Sequence, residues 1–264
     1  MRICSLGIDK CIISKIDLYY SCKNHGLCFC IKIDFMNTAD FIIRGEMEFL
    51  KDSLFTKAAS SEIRIFQALV SLLKTNEFDE VTVKQICKMA NVGKTTFYSH
   101  YQDKYDIIQQ FTSIFFDMGV AQIGRTLTWE QGHIISTTGY LQFCDILKKA
   151  FSSKDYNGLQ LYSPRRRERN IYRTLEKYKK VEVTKLVKAQ ATALAAGETV
   201  LFSRYIIEEK DPNVDDFVKI LVSIVPKQLY DLLEEPIVSK KDSIDEELMR
   251  VNLIVQALSM PIAL

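Results

Sequence analysis

The chain has 264 residues, enough for about two domains at roughly 150 residues each. Hydrophobic residues make up 47% and charged residues 26%, with only ten Gly and five Pro, which excludes a disordered chain, a collagen-like repeat and a loop-heavy β-sandwich. The 35 Lys and Arg against 33 Asp and Glu give a net charge of +2, so any nucleic-acid surface has to be a local patch.

Residues 1–55 show no sustained period. No apolar run reaches the roughly 18 residues of a membrane span, and Asp9, Lys10, Lys15 and Asp17 interrupt what would be a signal-peptide core. Cys4, Cys11, Cys22, Cys28 and Cys30 crowd this stretch, while Cys87 and Cys144 stand singly in amphipathic segments. An odd count with isolated core-type Cys fits a reducing compartment, so the expected location is the cytoplasm, with no membrane partner. Cys22, His25, Cys28 and Cys30 could ligate a metal, but structural zinc sites draw on two separated ligand pairs and there is no second pair here. No metal or cofactor is expected. Arg44-Gly45-Glu46 ahead of Met47 can be encoded by a purine-rich ribosome-binding sequence. Translation is therefore expected to begin at Met47 or Met36, with residues 1–55 an N-terminal extension that is untranslated or disordered.

From about Ser60 the text is helical. Ile65, Leu69 and Leu72 recur at i, i+4 and i+7, predicting an amphipathic helix over 61–75. A loop at 76–80 carries Phe78, and Thr82-x-x-Gln85 is a capping box that opens a second helix with Val83, Ile86, Cys87 and Ala90 inward. Asn91 suits the left-handed conformation that ends a helix, and Val92-Gly93 completes a tight turn. A short helix over 94–101 follows, then a longer one begun by Asp103. Further helices are expected at 141–151, 171–180, 183–208 and 213–234. Pro212 is expected in the first turn of that last helix and Pro226 as a kink within it. Ser243-x-x-Glu246 is a second capping box, opening a helix that runs to about Ser259. Without βαβ alternation, the fold class is all-α.

Two helices joined by a three-to-four-residue turn, the second short and polar-faced, form a helix-turn-helix. Phe97 and Tyr101 would hold the second helix to its neighbours, leaving Lys94, Thr95, Thr96, Tyr98, Ser99 and His100 on faces that can meet DNA. Lys84, Lys88, Lys94 and Lys104 make the local positive cluster that the net charge lacks. The motifs of catalysis are missing: there is no Gly-rich phosphate loop, His-Glu metal motif or nucleophile elbow. No enzyme is expected.

The run TVKQICKMANVGKTTFYSHYQDKYDII, preceded by EIRIFQALVSLLKTNEF, resembles the DNA-binding signature of TetR/AcrR transcriptional regulators over about fifty residues. The resemblance implies that Thr82 caps the second helix beside a phosphate. It likewise puts Tyr98, His100 and Lys104 on the DNA backbone, and Thr95, Thr96 and Ser99 toward base edges. Two residues depart from the pattern. Asn91 stands for the usual turn glycine, and Gly93 for a serine whose capping hydroxyl would reach a phosphate. By the same resemblance, residues 56–106 form a three-helix helix-turn-helix DNA-binding domain, and residues 107–264 a helical ligand-binding and dimerisation domain. The apolar stripe of Phe217, Ile220, Leu221 and Ile224, with the Ala/Gly-rich helix before it, is expected at a homodimer interface. Residues 236–264 lie beyond the family pattern and read as an extra helix on the core. The implied function is a ligand-responsive repressor that binds double-stranded DNA at a near-palindromic operator and answers to an unidentified small-molecule effector. The alternative is a coactivator of the same fold that acts through a protein partner.

Three further features read as structural. Pro164-Arg165-Arg166-Arg167-Glu168-Arg169 invites a nucleic-acid or anion reading, but such a charge run is more often a solvated loop. Cys87 and Cys144 read as small buried hydrophobes. Trp129, His133, Tyr140, Phe143 and Tyr172 could line a ligand pocket, but aromatic residues at helical spacing are more often core.

Overall fold

The computed structural model describes residues 61–155, 158–238 and 244–259. The N-terminal extension, its cysteine cluster, both candidate start methionines and Ser243 of the second capping box lie outside these residues. Eleven α-helices are described, and among the described residues there is no strand, only an isolated bridge between Ile123 and Leu127. No described helix is long and apolar enough to cross a membrane.

Helix α1 (Ser61–Leu73) buries Ile65, Phe66, Ala68 and Leu69. A 3₁₀ turn (Phe78–Glu80) leads to α2 (Val83–Met89), α3 (Lys94–His100) and α4 (Lys104–Met118). The caps do what the sequence asked of them. The Gln85 N–H donates to the Thr82 hydroxyl (3.3 Å) and the Thr82 N–H to the Gln85 side chain (2.8 Å), so two orphan donors are satisfied reciprocally. Asp103 accepts from the N–H groups of Tyr105 and Asp106 at 2.8 and 2.9 Å. Asn91 ends α2 with φ at 50°, the left-handed conformation that Asn tolerates.

The remaining helices are α5 (Trp129–Leu141), α6 (Cys144–Ser152), α7 (Leu159–Arg173), α8 (Lys185–Glu208), α9 (Val214–Ser223), α10 (Lys227–Leu233) and α11 (Ile244–Ser259). Helix α5 is the centre of this region, packed by α4, α9 and α11. Its buried residues, among them Trp129, His133, Ile135 and Thr137, lie on every side, so it has no apolar stripe to read. Two glycines let it sit close to its neighbours: a Cβ on Gly139 would overlap the Phe115 ring of α4, and one on Gly132 would overlap Ile123 in the segment after α4. Helix α11 lies across α5 and α1, burying Val251 and Leu258.

Several expected boundaries move. The helix expected over 141–151 is two elements, the end of α5 and most of α6, separated by Gln142 and Phe143. The one expected over 171–180 is the end of α7 followed by a π-helical turn (Thr174–Lys179) that stops at Lys180 in a left-handed conformation. Pro212 lies ahead of α9 rather than in its first turn, and the Asn213 side chain caps instead, accepting from Asp216. Pro226 breaks the expected long helix outright. Having no N–H to continue α9, it becomes the N-cap of α10. The arginine run is the largest change. It is helical, lies within α7 with Pro164 inside it, and Arg167 is 3% exposed.

Candidate nucleic-acid interface

Helix α3 is only two turns long, so one residue fixes its orientation. Phe97 is fully buried, its ring edge-on to Tyr98 and tilted against Tyr101 at centroid distances of 5.3 and 5.9 Å. At roughly 100° per residue, Thr95 and Ser99 then stand opposite Phe97, Lys94 and Tyr98 on one flank, and Thr96 and His100 on the other. The burial pattern follows this wheel: Lys94, Thr95, Tyr98 and Ser99 are exposed, while Thr96 and His100 are partly covered. Tyr98 is the extreme, an aromatic ring 57% exposed. Lys84 and Lys88 stand one turn apart on α2 and are also exposed.

Four of the eight candidate residues are already engaged within the protein. The Thr82 hydroxyl serves the capping box, donating to the Gln85 side chain at 2.6 Å. Ser99 donates its hydroxyl back to the Thr96 carbonyl at 2.7 Å. The His100 ring nitrogen Nδ1 sits 2.9 Å from a Glu62 carboxylate oxygen, and its backbone carbonyl accepts from Gln110, so it ties α3 to α1 and α4. Lys104 is the most committed. Its ammonium donates to the carbonyls of Phe78, Asp79 and Val81 at 2.8–2.9 Å and lies over the rings of Phe78 and Tyr105. Burial lowers its pKa, opposed by Asp79, Asp155 and Asp103. Three carbonyls at the end of a 3₁₀ turn form a cation socket, and no pattern within the α4 sequence could have announced it. The Glu62 partner of His100, 38 residues away, was equally invisible.

Gly93 is the N-cap of α3, with φ at −75° and no side-chain cap bond. A Cβ there would meet nothing within 4 Å, so the backbone does not require glycine at this position.

The family described as bacterial regulatory proteins, tetR family, matches residues 65–111, from the first buried turn of α1 to Phe111 of α4. This segment is a TetR-family DNA-binding domain. A stretch of 50 residues is 36% identical to an uncharacterized HTH-type transcriptional regulator, YxbF, of Bacillus subtilis (strain 168), covering 19% of this chain. The chain spans 13% of the length of that curated relative. Among solved structures, the dihydroxyacetone kinase operon activator DhaS overlays with a TM-score of 0.46 at 16% identity, over 66% of this chain and 98% of its own. A TetR transcriptional regulator from Streptococcus agalactiae 2603V overlays with a TM-score of 0.45 at 23% identity, over 67% of this chain and 98% of that one.

Behind the TetR domain, α4, α5, α6, α7 and α8 surround a cavity of about 100 Å³. Phe116, Tyr140, Phe151, Tyr162 and Phe202 line it, with Arg166, Arg167, His133 and Glu198 among its polar groups. Arg167 donates to both Glu198 carboxylate oxygens at 2.8 and 3.2 Å, and to the Val120 carbonyl and the Asn170 side chain. The His133 Nε2 lies 3.4 Å from the same carboxylate. Burial alone would raise the Glu198 pKa, but the Arg167 charge and the His133 contact outweigh it and hold the carboxyl at about 2. Arg166 pairs with Asp117 at 2.8 Å and stacks over Phe116. Of the aromatics read as core, His133 and Tyr140 line this cavity, Trp129 and Phe143 are core, and Tyr172 bonds Glu168 at the surface of α7. Cys87 is buried, and burial raises its thiol pKa.

Proposed function

We propose that the protein is a ligand-responsive transcriptional repressor, binding a near-palindromic operator as a homodimer and releasing it when a small molecule fills the helical-domain cavity. In this reading residues 56–106 contact DNA, and residues 107–264 hold the effector and the dimer contact. The carrying observation is the polar edge of α3, with Thr95 and Ser99 outermost and Lys94 and Tyr98 beside them, held away from the core by Phe97. Thr95, Thr96 and Ser99 are assigned to base edges, and Lys94 and Tyr98 to phosphates. Thr82 is assigned to a phosphate through the helix end that it caps. His100 and Lys104 are assigned to holding α3 and the 3₁₀ turn in place, given their partners inside the protein.

The dimer surface is assigned to α8 and α9. Leu186, Val200 and Ile207 are exposed on α8 along with Ala189, Ala193 and Ala196, and Ile220 on α9 and Ile224 at its C-cap are exposed too. That is more apolar surface than two solvent-facing helices ordinarily show. Phe217 and Leu221 of the same stripe are buried within the protomer, so the interface falls to the two isoleucines. The cavity favours the effector reading over a coactivator working through a protein partner, because a ligand can only act on a site that has room for it.

The test is titration of the full chain with DNA from upstream of its own coding region and with a random duplex, at several salt concentrations. Lys94→Ala should weaken both and lower the salt slope by about 0.9 for each phosphate it no longer neutralises. Thr95→Ala should cost roughly 1–3 kcal/mol on the operator alone. Parallel losses on both duplexes would overturn the division of α3 into readers and anchors. Light scattering of the Ile220→Asp/Ile224→Asp variant should give a monomer, and an unchanged dimer mass would remove these helices from the interface.

A further inference from the structure

We infer that the cavity takes a one-ring aromatic carboxylate, its ring among Tyr140, Phe151 and Phe202 and its anionic end on Arg166. This rests on the effector-site reading above and gives that site a chemical class. Size comes first. About 100 Å³ is somewhat less than the roughly 150 Å³ engineered apolar cavity that accepts benzene, so a single ring is the scale of occupant. The walls agree, since Phe202 packs edge-on against Tyr140 and Phe151 at centroid distances of 5.4 and 5.8 Å. Rings in this arrangement favour another ring at an offset or edge-on contact.

Charge decides the rest. The lining contains three side chains of fixed charge, Arg166, Arg167 and Glu198. Arg167 and Glu198 cancel one another through two hydrogen bonds, which leaves Arg166 as the lining's charged side chain without a charged partner inside the lining. Its partner Asp117 lies in the last turn of α4, outside the lining, and balances its charge at 2.8 Å from one side, so what Arg166 offers the cavity is its remaining N–H donors. A guanidinium has five N–H donors. Among the described residues, Arg166 gives one to Asp117 and another to the Tyr162 hydroxyl. A carboxylate arriving from the ring side can take remaining donors without breaking the Asp117 pair. An ammonium in the same place would bring only donors to the donors of Arg166, and a neutral amide would forgo the charge-assisted bond.

Isothermal titration of the full chain, with no DNA present, compares benzoate and phenylacetate with benzamide and benzylamine. The acids should bind at least tenfold more tightly than the amide, and the amine should not bind at millimolar concentration. Arg166→Gln should erase the preference for acid over amide, and Arg166→Lys should retain part of it. Acid and amide are compared on the unaltered protein, so a variant that fails to fold does not remove the test. Equal binding of acid and amide, stronger binding of the amine, or binding of none of the four overturns the assignment. Because DNA is absent, a negative result leaves the operator reading standing, and failure of operator binding leaves this one standing.

Discussion

In the TetR domain most polar end groups are satisfied within a few residues: Thr82 with Gln85, Asp103 with Tyr105 and Asp106, Ser99 with Thr96. In the helical region behind it the caps at Thr128, Thr184 and Asn213 are as local, but the buried polar groups are satisfied much further along the chain. Arg167 meets Glu198, Arg166 meets Asp117, Arg125 meets Thr174, and the backbone N–H of Trp129 donates to Glu234. Local bonds form as soon as their helix does, so each adds its own increment. Distant bonds between buried ions depend on several helices arriving together, and breaking one partner strands the other. The two regions should therefore respond differently to the same kind of substitution.

The widest gap should appear at Glu198. Glu198→Ala leaves the buried Arg167 guanidinium without its carboxylate and should cost about 3–5 kcal/mol in urea denaturation. Removing both charges with Arg167→Met and Glu198→Leu should recover most of that loss. If the single and double variants are equally destabilised, the ion pair is not what holds α7 to α8.

Acid should expose the same difference without a mutation. Glu198 titrates at about 2 in the folded protein and near 4.5 when unfolded. Its contribution is therefore complete above about pH 4.5 and lost as the pH falls toward 2, about 3 kcal/mol in all. Urea midpoints measured from pH 6 to pH 2.5 should show this decline in the wild type and a shallower one in the double variant.

Local substitutions should be milder. Thr82→Ala removes the capping box of α2 and should cost about 1 kcal/mol, seen as a modest drop in denaturation midpoint. A loss as large as that of Glu198→Ala would mean that the cap is coupled to the core and would break the contrast. The smallest expected effect is a gain. Gly93→Ser places a hydroxyl at an N-cap with open space around it and restricts the unfolded chain, for about 0.5–1 kcal/mol of added stability. The same hydroxyl sits where the family pattern puts a phosphate contact, so a tighter operator complex is the accompanying outcome to measure.

This contrast also explains which parts of the molecule could be read in advance. The starts of α2 and α4 and the turn at Asn91 follow from caps and a left-handed residue that lie inside a window of four. Helix α5 could not be found by periodicity, because α4, α9 and α11 bury it from several sides and no polar face remains. Helix α7 failed for the opposite reason. Few of its residues are apolar, and between the buried Leu159 and Ile171 its buried residue is Arg167, which looks like surface until Glu198 is brought beside it. At the interface, the outward face of α3 was legible from Phe97 and the turn. The carbonyl socket of Lys104 was not, since a lysine after a capping Asp looks the same whether it meets solvent or three carbonyls.

Helix α11 bears on how the chain is made. Leu258 sits beside Ile63, Phe66 and Phe111, so the first described helix is completed by the last. At 5–20 residues per second, the roughly 130 residues between Phe111 and Ile244 take about 7–26 s to synthesise. For that time the TetR domain has emerged without the helix that covers this edge of α1. Its apolar flank is then open to chaperones and to neighbouring nascent chains, and the finished fold becomes available only once α11 has been made.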